Sequence, residues 1–227
     1  MTTVRTFQRG LGSLLGYPEG QVDQRTRPLR EKGLLSSGPR GLAAANITTV
    51  EAAMVLCCLA PLRANDASTI GLTICNLEFV PIPGELEELF KLPNGRRASF
   101  GAVVGLLLSD PSALNWDRIE IAANGSMAVI FAGARRLMFV LDRRAAEVEI
   151  AGDRARYDRK AEADCGHIFK LTFAMVAFLG SWLSEDPPEA IRRLDMWEGA
   201  ISLGHRPLKD VPQLLAELSG SPRKLDA

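Results

Sequence analysis

Residues 21–60 read QVDQRTRPLREKGLLSSGPRGLAAANITTVEAAMVLCCLA, and the order of chemistry along this stretch decides how the N-terminal part is read. It opens with a dense set of Arg and Lys behind Asp23, a candidate N-cap. It then reaches Gly33, placed to end a helix in the left-handed conformation that glycine adopts without steric cost. Pro28 lies inside that span and forfeits a helical hydrogen bond, so the helix is expected to kink there or to start nearer Thr26. The next run, SSGPRGLAAAN, is a loop rich in Gly, Ser and small residues with Arg40 at its tip. Thr48 and Glu51 have the spacing of a capping box, expected to open a helix through Ala52, Ala53, Met54, Leu56, Cys57 and Leu59 that Pro61 stops.

Upstream, TVRTFQRGLGSLLG (3–16) sets Val4, Phe7, Leu11, Leu14 and Leu15 at helical spacing, with Arg5 and Arg9 on another face. Gly16-Tyr17-Pro18-Glu19-Gly20 breaks that helix. Helix, tight turn, Arg-rich helix, glycine-bearing loop with an Arg, helix is the order of a winged helix-turn-helix. Such a domain lays its second helix in the major groove and lets the loop touch the backbone or minor groove.

The chain has 227 residues, 47% hydrophobic and 6% aromatic, as expected of a soluble globular protein with one large domain or two small ones. Its 27 basic and 27 acidic side chains argue against a polyanion binder along its whole length. That balance is a cancellation. Up to Arg63 there are eight basic and four acidic residues, an excess of +4, so the remainder carries four more acids than bases. The basic side chains of the first part cluster on one helix and its loop.

The stretch LREKGLLSSGPRG followed by ITTVEAAMVLCCL resembles the DNA-binding half of MerR-like winged-helix regulators, and is similar to uncharacterised proteobacterial phage-associated proteins. The resemblance covers about residues 20–60. Position by position it implies Gln21, Gln24, Arg25 and Arg27 at the start of a recognition helix, Arg30 and Lys32 on its backbone-facing side, and Arg40 in the wing. Arg suits guanine and Gln suits adenine, while the amides of a Gly-rich loop approach phosphates closely. Two features depart from the family pattern: Pro28 inside the matched helix, and the absence of the long coiled-coil helix that follows a MerR-type head.

Beyond residue 60 a helix is expected over about 66–78, and Pro81-Ile82-Pro83-Gly84 marks a linker. GELEELFKL reads as a short acidic helix or turn, and Ala98 to Leu108 as an apolar helix. Trp116 to Ala123 and Met127 to Phe131 alternate as strands about Asn124-Gly125, the dipeptide of a type I′ hairpin, and Gly133 turns the chain into a further strand. Glu147 to Ile150 with Ala155 to Tyr157 read as a weak hairpin. A long helix is expected over about 163–184, ended by Pro187-Pro188, with a helical segment near 188–200 after it. The expected fold is α+β: an N-terminal winged helix-turn-helix head, then a helix, an antiparallel β-meander and a long C-terminal helix. The expected divisions are 1–80 as DNA-binding domain, 81–205 as oligomerisation or effector domain and 206–227 as a partly flexible tail.

Enzyme signatures are missing from the sequence. Gly10-x-Gly12 and Gly101 to Gly105 lack the Lys-Ser/Thr of a phosphate loop, no GxSxG elbow occurs, and neither His167 nor His205 sits in a catalytic motif. Cys57, Cys58, Cys75 and Cys165 have no paired spacing, so no metal and no cofactor are expected. The start MTTVRTFQRG lacks the apolar core of a signal peptide, and Leu171 to Leu183 is too short to cross a bilayer. A cytoplasmic location and no membrane partner are therefore expected. The leading expectation is a sequence-specific transcriptional regulator that binds double-stranded DNA as a homodimer. The alternatives are a phage-type DNA-packaging or assembly subunit, and a protein-binding module acting on RNA polymerase or another regulator.

Overall fold

The computed structural model describes residues 2–18, 20–36, 46–81, 89–92, 95–150, 152 and 166–184. In chain order these form α1 (Val4–Leu15), α2 (Gln21–Glu31), α3 (Thr49–Cys57), α4 (Ala67–Cys75), β1 (Glu78–Val80) and α5 (Phe100–Ser109). There follow β2 (Arg118–Ala122), β3 (Met127–Ala132), β4 (Arg135–Val140), a helix α6 over 143–150, β5 (Ile168–Thr172) and α7 (Phe173–Ser184). Arg40, expected in a wing, most of GELEELFKL, the strand expected at 155–157, the segment near 188–200 and the tail 206–227 lie outside the described residues.

The five strands form one antiparallel sheet in the order β1-β4-β3-β2-β5. Alternation along each strand sends Phe79, Ile119, Ile121, Ala128, Ile130, Leu137, Phe139 and Leu171 to one face, where they are buried with residues of the helices. Phe79, Phe90, Phe100 and Phe139 meet there, with ring centroids 5.0 to 5.6 Å apart. Phe90 has φ of 61°, and its wholly buried ring holds the backbone in that unfavoured region. On the opposite face Val80, Val129, Met138 and Val140 are covered by Ala146 and Ile150 of α6. Antiparallel sheet and helices together make the protein α+β.

Local chemistry explains the helix ends. Gly16 and Gly33 take left-handed φ of 70° after α1 and α2, and Leu34 N–H closes a Schellman-type bond to Leu29 O at 2.9 Å. Thr48 and Glu51 form the reciprocal capping box expected of them. Where helices cross closely, glycine supplies the room. A Cβ on Gly180 of α7 would stand 2.2 Å from Leu108 O of α5, and one on Gly10 of α1 would enter the ring of Trp182.

Several expectations are corrected. The residues 163–184 do not form one helix: Ile168–Thr172 is the edge strand β5, paired with β2, and α7 begins at Phe173. Pairing buries Leu171, worth roughly 2 kcal/mol, against helix propensities of at most about 0.7 kcal/mol per residue, and brings Lys170 within 3.2 Å of Glu120. Residues 147–150 are helical, because Ala146 and Ile150, four apart, can both face the sheet while Asp142 accepts from Ala145 N–H at 3.0 Å. The helix expected to 78 ends at Cys75, and Glu78–Val80 pairs with β4. The Asn124-Gly125 hairpin is present but not as type I′. Gly125 alone takes positive φ, 78°, and its N–H bonds Ala122 O at 2.9 Å. Gly133, φ 60°, heads the two-residue loop between β3 and β4, as a type II′ turn requires. Finally, α2 starts at Gln21 behind Gly20 and runs through Pro28 to Glu31.

The division placed at 80/81 falls at the end of β1, and the hydrophobic core continues across it. Phe7, Leu11, Leu29 and Leu56 belong to the same buried cluster as Val103, Leu107, Ile119 and Leu179. Among the described residues no helix is long and apolar enough to cross a membrane.

Candidate nucleic-acid interface

Helix α2 rotates by about 100° per residue, so Val22, Arg25, Thr26 and Leu29 share one stripe, and all four are buried. Opposite them Gln24, Arg27 and Glu31 form the outward centre, all exposed. Asp23 and Arg30 lie on one flank and half-buried Gln21 on the other, while Lys32 is exposed just past the helix end. Asp23 accepts from Arg30 at 2.5 Å and from Arg27 at 3.3 Å. These pairs are exposed enough to be worth little to stability, but they set where the two guanidinium groups rest.

Arg25 is the exception among the residues expected to contact DNA. It is only 4% exposed; Nη1 donates to Pro61 O at 2.5 Å and Nη2 to Leu62 O at 3.0 Å, and the guanidinium lies 5.7 Å from the centroid of Tyr17. Among the described residues its Nε finds no hydrogen-bond partner. Buried and turned to the body, it cannot meet a duplex; it ties α2 to the chain leaving α3. The signal was present in the sequence, since position 25 falls at i+3 on the stripe defined by Val22 and Leu29. A second tie runs from Gln8 Nε2 of α1 to Thr26 Oγ1 at 2.5 Å.

The described residues on either side of 37–45 are held by hydrogen bonds. Ser36 N–H and Oγ donate to Glu51 Oε1 at 2.7 and 2.5 Å, and Thr48 N–H and Oγ1 donate to Oε2 at 2.7 and 2.8 Å. Burial alone would raise the Glu51 pKa, but these donors outweigh it and hold the carboxyl below its ordinary value. Beyond the segment Asn46 bridges to Thr3, and Ile47 N–H bonds Thr2 O at 2.9 Å.

Two arginines that the sequence reading left aside complete the surface. Arg5 and Arg9 are exposed on α1. With Arg30 and Asp23 of α2, and Ser13 and Tyr17, they line an open cleft of about 870 Å³ between the two helices. Their spacing of four along an apolar-striped helix was legible; that α2 would lie beside them was not.

Among the described residues no cysteine offers an exposed thiol. Cys57, Cys58 and Cys75 are buried and unpaired as disulfides. Burial and the neighbouring Cys75 push Cys58 up to about 12 despite Arg25 nearby, and a hydrogen bond with Cys75 together with burial raises Cys57 well above the usual thiol value. Among the described residues no group of three metal-ligating side chains converges. Comparisons with protein-family models, curated proteins and solved structures found no match to this chain.

Proposed function

We propose that the protein is a sequence-specific DNA-binding regulator whose α1-turn-α2 head, with the Arg40 segment as its wing, docks on duplex DNA as a dimer on a paired site. The observation that carries this reading is the division of labour on α2. Its inward stripe, including Arg25, is committed to packing, while Gln24, Arg27 and Lys32 face solvent, and the flank carrying Asp23 and Arg30 borders Arg5 and Arg9 of α1. A helix held this firmly on one side and polar on the other suits entry into a major groove. In this reading Gln24 and Arg27 read base edges, Gln21 flanks them, and Arg30, Lys32 and Arg40 meet the backbone.

The test is capture of genomic fragments on the full chain, followed by mobility shifts at several salt concentrations. Enrichment of a discrete site whose affinity falls steeply with salt supports the reading, and Arg27→Ala is expected to weaken it. A chain that enriches no fragment overturns it. Light scattering coupled to size exclusion checks the dimer; a ring of eight or more subunits would replace regulation with a packaging role.

A further inference from the structure

Among the described residues, the cleft between α1 and α2 holds three guanidinium groups, from Arg5, Arg9 and Arg30, against one carboxylate, Asp23. Asp23 engages Arg30, whereas Arg5 and Arg9 form no ion pair among the described residues. The Ser13 hydroxyl adds a donor at the rim. A mouth this open and this rich in unpaired positive charge suits an anion that stays partly in solvent. The cleft borders the flank of α2 that carries Asp23 and Arg30, next to the outward face of Gln24 and Arg27.

We propose that this cleft receives a backbone phosphodiester of the duplex, which rests on the DNA-binding reading above. Arg5 and Arg9 contact the phosphate, and Asp23 is the group it displaces from Arg30. Asp23 thereby acts as an internal competitor: it occupies the arginine until a phosphate arrives, and so lowers affinity for every duplex alike. The residues of α1 add affinity without sequence preference, while Gln24 and Arg27 supply the preference.

The test is fluorescence anisotropy of the full chain with two duplexes of unrelated sequence across a salt series. The variants are Arg5→Ala/Arg9→Ala and Asp23→Asn. Arg5 and Arg9 are exposed, so the double variant is expected to melt as the wild type does. Its salt slope is expected to be shallower by about two for both duplexes, so that its affinity deficit grows about tenfold between roughly 200 and 50 mM salt. Asp23→Asn is expected to tighten both duplexes several-fold. A wild type that binds DNA beside a double variant of unchanged slope overturns the inference and leaves the DNA reading standing. A wild type that binds neither these duplexes nor any genomic fragment overturns both. Inorganic phosphate that then raises the melting temperature of the wild type over chloride at equal ionic strength, but not that of the double variant, identifies a free anion as the occupant.

Discussion

Arg25 and Arg27 stand two residues apart on one helix and face opposite ways, one buried and one exposed. Arg25→Ala leaves the buried Pro61 carbonyl and the part-buried Leu62 carbonyl without their donors, and is expected to cost about 2 kcal/mol in urea unfolding. Arg27→Ala is expected to change stability by less than about 0.5 kcal/mol and to act on DNA affinity instead. Glu51 makes a second prediction. Its folded pKa lies below the unfolded value, so its contribution is fully present above the ordinary glutamate range and is lost as pH falls through the folded pKa. Glu51→Gln is therefore expected to lower stability by roughly 1–2 kcal/mol at neutral pH. That gap is expected to close when urea midpoints are measured in strong acid, and a pH-independent gap would refute the assignment.

Among the elements, the crossings of α1, α5 and α7 are governed by glycine. Gly180→Ala drives its Cβ into a backbone carbonyl that cannot swing aside, and is expected to destabilise by about 3 kcal/mol. In Gly12, also helical and buried, a Cβ would meet Val22 at 3.5 Å, an ordinary contact. Gly12→Ala is accordingly expected to raise stability by about 0.5–1 kcal/mol through helix propensity. Thermal melts of the two variants in parallel separate close packing from intrinsic preference. Element type was readable wherever the chain signals locally: the Thr48–Glu51 box, the Gly33 stop and the α1 stripe all stand as their residues indicated. It was not readable at 168–172 or 147–150, where apolar residues fit either period and the position of the sheet chose between them.

For the molecule as a whole, the decisive feature is a core that the chain builds from both halves. Unfolding is expected to be one cooperative event, with tryptophan fluorescence and far-ultraviolet circular dichroism tracing coincident urea transitions. A fragment of residues 1–80 is expected to lack a cooperative transition, because Val55, Leu56 and Cys57 would lose the cover of α5 and β1 would lose β4. A sharply folding fragment would show that the head is independent of the sheet. Such dependence gives the candidate interface its rigidity: Arg25 and Gln8 hold α2 from behind, against a body that cannot drift from it.

What the sequence determined by itself was local. The order of helices and breakers in residues 3–60, the caps, the hairpin dipeptide and the concentration of positive charge before Arg63 all follow from interactions within a few residues. Only the tertiary structure decided which carbonyls the inward-facing Arg25 of α2 bonds, that Arg5 and Arg9 border the same cleft as Arg30, and that Ile168–Thr172 completes a sheet. Burial and charge pairing depend on groups far apart in the chain, and a guanidinium that bonds two carbonyls 36 and 37 residues away carries no mark of it in its neighbours.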